Sequence, residues 1–304
     1  VVYALSRVYG DTFELEKERE AVLTTIELSK TLFGENDLKT IGAISNLATI
    51  YQKQGDLKKS KKLALNIYNK RQRLFPNNHK DIAYSLSQLG TINHWLGEYN
   101  EAAYYFELSH KKFLQVYGEK HPNTLNSLAG LGSILNTQGK YIAAEKVILK
   151  HVELASLVQG DNHPSVLRSM HNLADTYRGL ERFKQSEELF LTTLSLRQES
   201  LGLEHIETLQ SQMKLARLYR ILARYDEAFV LISDTVTKQK AQLGDSHPTT
   251  LIAWQELANL YLASGQLNKA QTAYETVISG RLKSLGSEHP DLFQSYLGLS
   301  TVYR

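Results

Sequence analysis

Six of the 10 histidines stand on one lattice: His79, His121, His163, His205, His247 and His289 follow one another in steps of 42 residues. Imidazole is the commonest metal ligand, so regular histidines raise a metal reading first. Zinc needs its ligands converged to about 2.0–2.1 Å from one ion. Successive units of a stacked array lie about 10 Å apart, the usual helix packing distance, so histidines from different units cannot meet on one ion. The spacing predicts that they cap and pack the junction before a helix and hold no metal. A second group is charged. Arg168, His171, Asn172, Asp175 and Arg178 share one short stretch, and Lys214, Arg217 and Arg220 stand one period after Asn172, Asp175 and Arg178. Arg168, Arg178, Lys214, Arg217 and Arg220 are five cations against the single carboxylate of Asp175. The planar fork of arginine matches carboxylate geometry, so this group suits capture of an acidic peptide. The competing expectation is an ordinary solvated face with internal pairs such as Asp175–Arg217. Reaction chemistry has no candidate: there is no P-loop, G-x-S-x-G or H-E-x-x-H motif, and no carboxylate pair arranged as acid and base. The chain is read as a non-enzyme without cofactor.

These side chains need elements that repeat with them. On the same lattice Leu5, Leu47, Leu89, Leu131, Leu173, Leu215, Leu257 and Leu299 align, and the next residue is always Ser, Ala or Gly. Apolar residues at i, i+3, i+4 and i+7, such as Leu128, Leu131, Gly132 and Leu135, make one helical stripe. Its small members let a neighbouring helix approach. Gly55, Gly97, Gly139 and Gly265 break each cycle, and Gly34, Gly118, Gly160, Gly202, Gly244 and Gly286 close it, as left-handed helix ends require. Pro122, Pro164, Pro248 and Pro290 suit a first helical turn, where the missing N–H costs nothing.

Two helices per cycle follow, for example near 122–137 and 140–158. The expected fold is all-α, a right-handed superhelical solenoid of antiparallel helix pairs with an extended concave surface. It is expected to run as one array over 1–304. A partial repeat, 1–36, begins inside a helix at 1–9. Full repeats follow at 37–78, 79–120, 121–162, 163–204, 205–246 and 247–288, and 289–304 is a partial last repeat. Three departures carry expectations. "FPNNHK" at 75–80 predicts a differently shaped junction, "GLEHIE" at 202–207 lacks the Pro, and "YRGLERF" at 177–183 moves its Gly two residues early, which predicts a shifted helix end.

Composition narrows the partners. With 35 basic and 32 acidic residues the formal charge is +3, too small to imply nucleic acid or an anionic membrane. The basic run Lys58, Lys59, Lys61, Lys62 reads as a solvated helix face. No apolar run approaches the roughly 20 residues that span a bilayer, and Val1–Leu5 lacks the charged region of a signal peptide. The absence of cysteine removes disulfides and thiolate sites and fits a cytoplasmic setting. Without an initiator Met, the chain is expected to be part of something longer.

The order of small pair, Tyr, Gly-x-Tyr and Ala resembles the tetratricopeptide repeat. The 42-residue form, with Leu-Gly-x-x-His-Pro between repeats, is similar to the kinesin light chain family and to repeat arrays attached to signalling NTPases. "LGSEHPDLFQSYLGLSTVY" and "SNLATIYQKQGDLKKS" show it best. The longer period most simply lengthens the second helix of each pair. The resemblance implies that first helices line a concave face along which a protein or peptide partner lies. An Asn before the Leu-small pair contacts peptide in that family; Asn46 and Asn172 match, whereas Gln88, Gly130, Lys214, Glu256 and Gly298 do not. Trp95, late in a first helix beside His94, is a candidate binding aromatic, and Trp254 is expected in the core. The chain is thus expected to be an interaction scaffold or adaptor. Two other expectations stand beside it: a sensor array of a larger signalling protein, and self-association through the repeat ends.

Overall fold

The structure is a computed structural model that describes residues 12–285 and 290–304; His289, Gly286 and the helix expected at 1–9 lie outside the described residues. Fourteen helices occupy the described residues. They are α1 (Thr12–Phe33), α2 (Leu38–Lys53), α3 (Leu57–Leu74), α4 (Lys80–Trp95), α5 (Tyr99–Tyr117), α6 (Pro122–Thr137), α7 (Tyr141–Gln159), α8 (Pro164–Gly179), α9 (Phe183–Leu201), α10 (Ile206–Ile221), α11 (Tyr225–Leu243), α12 (Pro248–Ala263), α13 (Leu267–Leu285) and α14 (Pro290–Val302). Even-numbered helices are the first of each pair. Those from α2 to α12 have 16 residues, whereas α5, α7, α9, α11 and α13 have 19. The second helix is therefore the longer one, as the period predicts.

The first helices of the pairs share one starting device. The ring Nδ1 of His79, His121, His163, His205 and His247 accepts the backbone N–H two residues on, each at 3.2 Å. Asp37, on the same lattice, does so at 2.8 Å. Each satisfies an N–H that has no partner within its helix. The residues that break each cycle between its two helices reach left-handed φ, as Gly55, Gly97, Gly139 and Gly265 do, a conformation glycine tolerates. Glu181 (φ 59°) and Ala223 (φ 57°) adopt it where glycine is missing. This corrects the expected shift at 177–183. Helix α8 keeps its 16 residues, because the shape of the junction is imposed by packing and Glu181 bears the strain. At 75–80 the junction does differ in its backbone: Phe75 leaves α3 extended at φ −119°, where Gly118 leaves α5 at φ 81°; the ring stack of Phe75 on His79 at 3.9 Å is shared, since Tyr117 stacks on His121 at 4.0 Å.

The chain divides into two units, Val1–Ser169 and Met170–Arg304, within α8. In the first, Ile26, Ile41, Ile44, Leu47, Ala48 and Ile67 form a buried cluster. In the second, Phe190, Leu215, Ala216, Leu218, Ile232 and Leu257 belong to a larger one. Side chains on second helices lock the pairs: Ser60 Oγ donates to the carbonyl of Ala48, and Ser186 Oγ to that of Ala174, both at 2.7 Å. The small column is steric, since a Cβ on Gly132 would stand 2.6 Å from Ile148 Cγ1.

Candidate partner-binding surface

First helices meet their successors with a stagger of 39 residues, three short of the period. Gln88 Nε2 donates to Thr49 Oγ1 at 3.3 Å in the first unit. In the second, Lys214 Nζ donates to Asp175 Oδ2 at 3.0 Å, and Arg217 approaches Glu256 at 3.7 Å. Identical lattice positions are therefore not neighbours. A residue faces the one almost a turn earlier on the next first helix, because adjacent helices pack with axial offset.

Seven of the ten candidate residues lie in the second unit, and they form two ion clusters of unlike character. Around Asp175, Arg178 Nε donates at 2.8 Å and Lys214 Nζ at 3.0 Å. Burial pushes the Asp175 carboxyl upward, but the charges of Lys214 and Arg178 and their hydrogen bonds outweigh it and hold the group below the ordinary carboxylate range. His171 lies against this cluster. Its ring meets Phe190 edge-on at 5.5 Å, and its Nδ1 is 3.5 Å from Ser211 Oγ. Burial first, then Arg197 and Lys214, push its pKa down to about 3, with Asp175 opposing. His171 is thus a neutral, half-buried ring and no cation; the groups packed around it decide this. Asn172 is half-buried.

The second cluster is loose. Arg217 and Arg220 share Glu256 at 3.7 and 3.8 Å, beyond hydrogen-bond reach. Arg217 Nε, Arg220 Nε and Glu256 Oε2 are buried without a hydrogen-bond partner. The expected Asp175–Arg217 pair is not the one formed. Lys214 takes Asp175, and the sequence count of one carboxylate missed Glu256, which the stagger brings to Arg217.

Asn46 (exposed, on α2), Trp95 (half-buried, the last residue of α4) and Arg168 (exposed) belong to the first unit. Arg168 adds to the burial that lowers the His151 pKa to about 4. The His151 ring is fully buried and neither nitrogen has a hydrogen-bond partner. The two glycines that break the Asn column have steric causes. A Cβ on Gly130 would stand 2.6 Å from the Phe106 ring, and one on Gly298 2.4 Å from Tyr274. Ring positions on second helices fill the space an Asn would need. Trp254 packs half-buried against the core, as expected, and with Val236, Thr237, Lys240 and Leu257 it also borders a recess of about 510 Å³ between α11 and α12.

Among the described residues no group of three or more His, Asp or Glu converges as metal ligands, and no helix is long and apolar enough to cross a membrane.

The family model described as Tetratricopeptide repeat matches residues 39–109, 81–147, 130–198, 177–241 and 207–283. The chain belongs to the tetratricopeptide repeat family. Its repeats are of the kinesin light chain-like type: a Podosopora anserina protein named for the kinesin light chain, with nearly identical TPR-like repeats, is 28% identical. That match has a TM-score of 0.55 and covers 69% of this chain and 99% of the other. A tetratricopeptide repeat protein from Parabacteroides merdae is 15% identical at TM-score 0.67, covering 99% of this chain and 98% of that one. The apo form of the quorum sensor NprR from B. thuringiensis is 12% identical at TM-score 0.64, covering 99% and 87%. No curated protein sequence matches the chain.

Proposed function

We propose that this chain is a non-catalytic protein-interaction scaffold whose first helices present a concave face to a peptide or partner segment bearing carboxylates. The anchor is the Arg217–Arg220 pair. The observation that carries this reading is the unsaturated Glu256 cluster: two guanidiniums stand on one carboxylate at 3.7 and 3.8 Å, each with a partnerless Nε. A partner carboxylate at the exposed ends of the two guanidiniums would accept charge-assisted hydrogen bonds that Glu256, at 3.7 and 3.8 Å, does not. Arg178 and Lys214, already bonded to Asp175, position the surface and bind less. Helices lower the cost of binding, because side chains fixed on rigid elements lose less freedom than those on a mobile loop.

The test is a peptide-array screen on the 304-residue chain, followed by titration of the best acidic peptide into an Arg217→Gln, Arg220→Gln variant. Binding of acidic peptides, weakened about 10-fold or more in the variant, is expected. Acidic-peptide binding that the variant leaves unchanged would remove the pair from the surface, and absence of any peptide binding would remove the reading.

A further inference from the structure

The outer face of α7 breaks a rule that every other complete second helix keeps. Ile142, Lys146, Leu149, Glu153 and Leu157 lie within about 80° of one another around the helix, and Ile142 to Leu157 spans about 22 Å. All five are exposed, with Ile142 at 77%, Leu149 at 43% and Leu157 at 69%. At the lattice positions of Ile142, Leu149 and Leu157, α3 carries Lys58, Leu65 and Arg73, and α5 carries Asn100, Glu107 and Gln115. The same positions hold Lys184, Leu191 and Glu199 on α9, Asp226, Ser233 and Ala241 on α11, and Asn268, Glu275 and Lys283 on α13. Only α7 is apolar with large side chains at all three.

The charges of this face are also unlike those elsewhere. On α5, Lys111 pairs with Glu107 within the helix at 2.8 Å. On α7, Lys146 and Glu153 stand too far apart along the helix to meet, and neither has an ion-pair partner among the described residues. Lys150 is drawn aside to Glu119 at 2.6 Å, which leaves its methylene stem beside Leu149.

We propose that this stripe docks a second copy of the chain through an antiparallel α7–α7 contact about a twofold axis near Leu149. The order Ile-Lys-Leu-Glu-Leu is complementary to itself when reversed. Ile142 then faces Leu157 of the other copy, Lys146 faces Glu153, and Leu149 faces Leu149. The same patch serves both copies, as a closed twofold interface requires. The apolar residues leave water and both unpaired charges gain partners, so one register satisfies shape and charge together. The stripe lies on a second helix, and the proposal does not rest on the peptide reading of the first helices.

The test is sedimentation velocity on the 304-residue chain from about 1 μM to about 300 μM, the range expected of a small homodimeric interface. A concentration-dependent dimer is expected. Leu149→Glu, a substitution at an exposed position, should abolish it. Lys146→Glu and Glu153→Lys should each weaken it about 10-fold by placing like charges opposite at two symmetric sites. The double exchange should restore it, a rescue that a merely structural role would not produce. A chain that stays monomeric through 300 μM overturns the proposal. So does a dimer indifferent to Leu149→Glu, a double exchange no better than the singles, or open-ended growth beyond the dimer.

Discussion

Asp175 and Glu256 are both acids of the first-helix ladder, both flanked by two cations, and both largely shielded from solvent. They do different things. Asp175 receives hydrogen bonds at 2.8 and 3.0 Å, so its lost hydration is replaced and the cluster closes on itself. Glu256 stands 3.7 and 3.8 Å from its arginines, close enough for attraction and too far to satisfy their donors. A closed cluster braces a fold. An open one with excess positive charge retains capacity for a ligand. The distinction lies in less than 1 Å of side-chain placement and is invisible to a count of charges.

Substitutions sharpen that contrast. Asp175→Ala strands Arg178 and Lys214 beside the neutral His171 and should cost about 3 kcal/mol, the price of removing one partner of a largely buried pair. The midpoint of urea unfolding reads this, and a loss below about 1 kcal/mol would make the two clusters alike. Acid should discriminate next. The His151 ring has its pKa lowered to about 4, against about 6.5 in an unfolded chain. Between those values the unfolded chain binds a proton that the native chain excludes, so stability falls as pH drops from 6.5 toward 4. His151→Thr, matching Thr193 and Thr235 on the lattice, should remove about 2 kcal/mol of that loss. Asp175, with its depressed pKa, stays ionised through this window and keeps its bonds. An equally steep acid profile in the variant would show that His151 contributes nothing. The smallest effect belongs to Glu256→Gln. It should change the unfolding midpoint by about 1 kcal/mol or less while tightening acidic-peptide binding, because it leaves the two guanidiniums without their competing carboxylate.

Much of the fold was legible residue by residue. Pro122 and Gly139 mark the limits of α6, and the lattice histidines read as caps because an N-cap acceptor is needed wherever a helix begins. Local chemistry settles such features. The shifted end expected from Gly179 did not occur because a junction flanked by packed helices holds its shape and makes Glu181 adopt a left-handed φ. Of the two ion clusters, the cations were legible and the pairing was not. Arg217 was matched to Asp175 on lattice columns, while the packed helices give Asp175 to Lys214 and bring Glu256 to Arg217. His171 looked like a groove residue from its place in the charged stretch and is a half-buried neutral ring. Gly130 and Gly298 looked like losses of a binding Asn; Phe106 and Tyr274 occupy the space instead.

The sequence alone therefore determined the period, the helix pairs, their caps and ends, and the family, because each depends on residues within a few turns of one another or on their recurrence. Tertiary packing decided which charges meet, which histidines lose their protons, and where an arginine pair is left unsatisfied. Those outcomes depend on the axial offset between neighbouring helices and on the depth of burial, and neither quantity is written in any single stretch of chain.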